Sequence, residues 1–117
     1  MNISKVAFFV VLSVFFSHAE AMTVSVYQSL KEKDREALEF YMEGVGQGVT
    51  WTHSMFSTIR NAEVFCLPNK LGLNAQNYIH IVDRTIQFYS QEGRPVESDT
   101  PIEMLLVFGM EKTFPCE

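Results

Sequence analysis

Apolar residues recur at three- and four-residue steps through most of this chain, and the alternation expected of strands is scarce. From about Ser29 a polar run, Lys31-Glu32-Lys33-Asp34-Arg35-Glu36, leads into Leu38, Tyr41, Met42, Val45 and Val49, which share one stripe of a helix. Trp51, Met55, Phe56 and Ile59 continue the spacing, so this helix is expected to reach about Thr58. Gly44, Gly46 and Gly48 interrupt it. A glycine inside a helix costs up to about 1 kcal/mol against alanine, so a packing reason is expected. Gly44 and Gly48, four residues apart on one face, are the candidate helix-packing positions, for an approach from within the chain or from a second subunit. A helix break near Gly48 is the competing reading.

Asn61 to Leu73 reads as a loop, with Cys66, Pro68, Asn69 and Gly72 as poor helix formers and Pro68 biasing Leu67 to an extended conformation. Asn74 can cap a second helix, in which Ala75, Ile79, Val82, Ile86 and Tyr89 form a stripe up to about Gln91. Tyr78, Ile81, Thr85 and Phe88 form another, so this helix is expected to be central or shared with a second subunit. Glu92 to Asp99 reads as an exposed loop, opened by Gly93 as a helix stop and stiffened by Pro95. Thr100, Pro101 and Glu103 then spell the N-cap, first helical position and capping box of a last helix carrying Ile102, Leu105, Leu106, Phe108 and Met110 on its buried side.

The start of the chain changes where all this works. Lys5 precedes an almost unbroken apolar run from Val6 to Phe16, and Ala19-Glu20-Ala21 supplies the small-x-small pattern of a signal peptidase site. Residues 1–21 are therefore expected to be a signal peptide cleaved after Ala21. The apolar run is too short for the roughly twenty residues of a membrane-crossing helix, so no membrane association is expected after cleavage. Residues 22–117 then form one helical domain, too small for two.

In an exported chain the only two cysteines, Cys66 and Cys116, are expected to form a disulfide. Closing a loop of about fifty residues would contribute roughly 4 kcal/mol in the chain-entropy model. The fold expected is all-α, a small bundle of three to four helices clipped by one disulfide.

Charge and chemistry narrow the function. The formal net charge is −5, and loss of Lys5 together with Glu20 leaves it unchanged. No basic face is available for phosphate, which points away from nucleic acid and toward a basic protein partner. His53 and His80 do not stand at zinc spacing with either cysteine, so neither a metal nor any other cofactor is expected. Cys66, His80 and Asp83 can be written as a cysteine-enzyme trio, but such a trio arises readily in any chain of this composition. His53 and Asp99 have no nucleophile elbow nearby, and Glu39 with Glu43 reads as a solvated helix face rather than an acid–base pair. A binder is expected, not an enzyme.

Taken in order, Tyr41-Met42-Glu43-Gly44-Val45 with Gly48, then Phe65-Cys66-Leu67-Pro68, then Gln76, and finally Phe114-Pro115-Cys116, make a distinctive series. It resembles the Rap/Tai family of immunity proteins found beside type VI secretion amidase effectors, over roughly Leu38 to Cys116. The resemblance implies a helical periplasmic protein, often a homodimer, that carries the cysteine pair and binds a cognate peptidoglycan amidase to occlude its active site. The chain departs from the family pattern at Gly93-Arg94-Pro95, where the usual turn is shorter, which implies a longer connecting loop. Glu92, Arg94, Pro95, Glu97 and Asp99 are the candidate partner-binding residues, with Glu97 and Asp99 toward the partner and Pro95 holding the shape. The alternative is a structural or assembly-associated periplasmic protein with no toxin partner. A small secreted toxin would share the same features.

Overall fold

A computed structural model describes residues 20–117, so the expected leader, apart from its last two residues, lies outside the described part. Four helices follow one another: α1 (Val24–Lys33), α2 (Arg35–Arg60), α3 (Ala75–Gln91) and α4 (Ile102–Thr113). Among the described residues there is no strand, only an isolated bridge between Thr23 and Pro101. None of these helices is long and apolar enough to cross a membrane.

One residue divides α1 from α2. Asp34 closes α1, its N–H bonding to the Leu30 carbonyl, and its side chain accepts from the Ala37 N–H at 3.1 Å to open α2. That exchange satisfies an orphan group on each helix, so a single residue suffices for the corner. The polar run Lys31 to Glu36 thus spans a corner and is not the front of one helix. The short pattern Val24, Tyr27, Leu30 belongs to α1, buried through Val24 and Tyr27.

Helix α2 continues unbroken through its three glycines and ends at Asn61, whose left-handed backbone (φ 53°) caps it. No break occurs near Gly48. The glycine that packs is Gly46, buried against the ring of Tyr78 so closely that a β-carbon would overlap it. Gly44 and Gly48 meet nothing within 4 Å, so among the described residues neither is a point of close helix approach.

Helix α3 is central, packing on both α2 and α4. It starts on a reciprocal cap, in which Asn74 accepts from the Asn77 N–H at 3.1 Å and Asn77 accepts from the Asn74 N–H at 2.9 Å. Its two stripes bury Ile79 and Val82 on one side and Tyr78, Ile81 and Thr85 on the other. They join Tyr27, Leu38, Met42, Phe65, Ile102, Leu105, Leu106 and Met110 in one core. Gly109 of α4 lets α3 come close, since a β-carbon there would stand 2.5 Å from Ile81 Cγ2 and Thr85 Oγ1. Phe108 is 39% exposed rather than buried, because it falls on the outer side of α4.

The start of α4 departs from its sequence signature. The N-cap position is Pro101, with no side-chain cap bond, and Glu103 does not turn back to Thr100. Its carboxylate is drawn across the fold instead, accepting from the Tyr41 hydroxyl and from the Met22 N–H. Two long-range donors win over one local one.

Cys66 and Cys116 are joined, with S–S 2.05 Å and Cα atoms 5.0 Å apart. The Cys66 N–H also donates to the Phe114 carbonyl at 2.7 Å, so the loop after α2 is fastened to the chain end by backbone as well as sulfur.

Candidate protein-binding surfaces

Helix α3 ends at Gln91, and two residues on, Gly93 has a positive φ of 73° that lets the chain turn and its N–H reach the Ser90 carbonyl. The Arg94 N–H donates to the Tyr89 carbonyl at 2.9 Å, and the Arg94 guanidinium lies over the Tyr89 ring, 5.8 Å from its centre. Arg94 also pairs with Glu92 at 3.7 Å, although both are well exposed, where such a pair is worth little. Val96 turns inward onto the core. Beyond it, Ser98 and Thr100 offer their carbonyls to the N–H groups of Ser25 and Val24, each at 2.9 Å. The loop is therefore tied at its root to α3, at its middle to the core and at its far end to α1. Glu92, Arg94, Pro95, Glu97 and Asp99 all point to solvent. The surface they form is firm and acidic, three carboxylates against one guanidinium.

A second surface runs along α2. At 100° per residue, Phe40, Gly44, Gly48, Trp51, Met55 and Ile59 fall within about 100° of arc. Phe40 is 86% exposed, Trp51 70% and Ile59 67%, while the two glycines between them are open. An apolar groove lies beside the N-terminal half of this face, lined by Met22, Leu30, Ala37, Phe40, Tyr41 and Val45 among others. Large apolar residues are thus displayed at one end of a helix and a groove at the other. Single exposed apolar residues are ordinary, but a continuous stripe of this kind marks an interaction surface. The sequence carried this signal in the spacing of Trp51, Met55 and Ile59, but the same spacing describes a buried stripe. Only the exposure of this side of α2 in the fold separates the two.

Most of the residues that could carry chemistry have partners within the fold. Cys66 gives its sulfur to Cys116, and Asp83 binds Lys31 at 2.5 Å and accepts from the Tyr27 hydroxyl at 2.8 Å, while His80 faces solvent. Burial, reinforced by the Asp83 carboxylate, pushes the Tyr27 hydroxyl far above the ordinary tyrosine value. Tyr41 is raised in the same way by burial and by Glu103. Glu39 pairs with Arg35 at 3.2 Å and Glu43 accepts from Gln47 at 3.0 Å. His53 stacks on Phe65 with ring centres 3.9 Å apart, and its Nε2 accepts from the N–H groups of Val64 and Phe65. This histidine organises the turn after α2, a role its position in the sequence did not announce. Glu63 comes near the two cysteines, within 4.8 Å, but sulfurs bonded to each other offer no thiolate to a metal.

Comparison of the chain with protein-family models, curated proteins and solved structures finds no match.

Proposed function

We propose that this chain is exported, loses its leader after Ala21, and acts in the periplasm as an immunity protein that binds a peptidoglycan amidase effector of type VI secretion and occludes its active site. The observation that carries this reading is the Glu92–Asp99 loop, exposed and acidic yet tied to α1, α3 and the core. An inhibitor benefits from such a shape, because a segment already ordered loses less freedom on binding. Its carboxylates would steer it toward a basic rim around a catalytic groove. The disulfide suits an oxidising compartment, and the ordered series of motifs ending in Phe114-Pro115-Cys116 supplies the amidase as target. In this reading the protein uses no cofactor or metal and catalyses nothing.

A homodimer belongs to the same proposal, with the α2 face as its contact. Antiparallel pairing centred between Gln47 and Gly48 would set Trp51 of each copy against the open Gly44 of the other, and Met55 against Phe40. The alternative reading, a structural or assembly-associated periplasmic protein, draws on the same apolar face, which could seat a different helix. Titrating the purified protein into the proposed cognate amidase, with release of peptide from purified peptidoglycan as readout, separates the two. Immunity predicts complete inhibition near stoichiometric amounts. Unchanged hydrolysis at a tenfold excess would overturn it.

A further inference from the structure

Met22 is held unusually well for a residue at the edge of the fold. Its carbonyl accepts from the Ile102 N–H at 2.9 Å, and its nitrogen donates to Glu103 Oε1 at 3.3 Å. The Tyr41 hydroxyl shares that same oxygen. The other oxygen of the carboxylate, Oε2, is buried and has no hydrogen-bond partner among the described residues. Among the described residues no lysine or arginine pairs with Glu103. The groove lined by Met22 and Tyr41 brings Asp34 and Glu36, two further carboxylates, and no cation. A carboxylate in such a place lacks a positive partner, and an unmatched buried polar oxygen is costly.

We infer that Glu103 and Tyr41 form a receptor for the new chain terminus created when the leader is removed. The inference rests on cleavage after Ala21, as proposed above. Hydrolysis of the Ala21–Met22 bond by a signal peptidase consumes one water, leaves a carboxylate on Ala21 and frees an amine on Met22 that takes up a proton at neutral pH. A peptide nitrogen with one hydrogen becomes an ammonium with three, beside the carboxylate that has an uncommitted oxygen. The missing cation is thereby supplied by processing itself.

The consequence is a fold that tightens only after export. The Cys66–Cys116 bond needs an oxidising compartment, and the Met22–Glu103 pair needs a cut leader, so neither stabilises the precursor in the cytosol. Met22 carries this to both halves of the domain, since Met22 to Ser25 run beside Ser98 to Ile102 and lead directly into α1.

The experiment is a four-way comparison on protein processed and purified from the periplasm. The forms are the native chain, a chain with Ser-Gly inserted between Ala21 and Met22, Glu103→Gln, and both changes together. The insertion moves the ammonium roughly 7 Å along the chain while leaving the Met22 amide in place. Glutamine keeps an acceptor for Tyr41 but no charge. Intact mass first reads the terminal residue, and a first residue other than Met22 would sink the cleavage position on which the inference stands. With Met22 first, the insertion is expected to lower the melting temperature by about 4–8 °C when Glu103 is present and by under about 1 °C in Glu103→Gln. Equal losses in both backgrounds would overturn the inference while leaving the cleavage position intact. Should the insertion block export, titration of the native Met22 amine decides: a value above the ordinary range of about 7.7–8.0 supports the pair, and one within it contradicts it.

Discussion

Gly46 presents bare backbone to the ring of Tyr78, leaving no room for a β-carbon between them. The contact joins α2 to α3 at the middle of the core, and Tyr78 reaches on to Thr50 through its hydroxyl at 3.2 Å. Gly46→Ala is expected to destabilise the protein by about 1–3 kcal/mol through overpacking. Gly44→Ala should instead stabilise it by about 0.5–1 kcal/mol, because its side is open and alanine is the better helix former. Urea unfolding followed by circular dichroism distinguishes the two, and the opposite order would contradict the packing described.

Which glycine packs was not legible in the sequence. Gly44, Gly46 and Gly48 all stood out as needing a reason, but the partner of the close one, Tyr78, lies 32 residues away. By contrast, the Asn74 cap, the Gly93 stop, the end of α3 at Gln91 and the cysteine pair were readable, because each is specified locally or by elimination. The corner at Asp34 is not legible in the sequence, because its two caps need only one residue and leave the charged run unbroken. The Thr100–Glu103 signature misled because a local rule cannot register a tyrosine and a backbone amide arriving from 62 and 81 residues away. The exposed loop from Glu92 to Asp99 was legible as a loop, but its ties to Tyr89, Val24 and Ser25 were not.

The disulfide bears on stability through the fifty-residue separation it closes. Replacing both cysteines by serine should cost roughly 4 kcal/mol in the chain-entropy model. Thermal melts with and without a reductant measure this directly. A native chain whose melting temperature does not move on reduction would show that Phe65, His53 and the Cys66–Phe114 backbone bond hold the loop alone.

Alkaline pH should destabilise the protein, and the sign follows from two tyrosines, Tyr27 in the core and Tyr41 partly buried at its edge. Tyr27 and Tyr41 are both raised above the ordinary value of 10.0. Above pH 10 the unfolded chain releases these protons while the folded one retains them, so the folded state binds more protons and stability falls as pH rises. The contribution is complete below about pH 10 and is lost progressively above it. Tyr27→Phe should flatten the fall in melting temperature between pH 9 and 11 (about the accessible range), and an unchanged slope would argue against the Tyr27–Asp83 bond.

The α2 face predicts a concentration-dependent state. Trp51 is the only tryptophan, so its emission should shift to the blue as the protein self-associates and the ring leaves water. Gly44→Leu fits the isolated fold, where that position is open, but would block the approach of Trp51 from a second copy. Sedimentation equilibrium should find a dimer for the native chain and a monomer for Gly44→Leu.

The affinity of the processed protein for the amidase proposed as its partner, compared with that of a Glu97→Lys/Asp99→Lys chain, tests the immunity reading most directly. If the acidic loop is the occluding element, charge reversal should weaken binding at least about 100-fold, or nearly 3 kcal/mol, while the melting temperature stays unchanged. Equal affinity of the two chains would contradict the loop's role, and no measurable binding by the native chain would contradict the immunity reading itself.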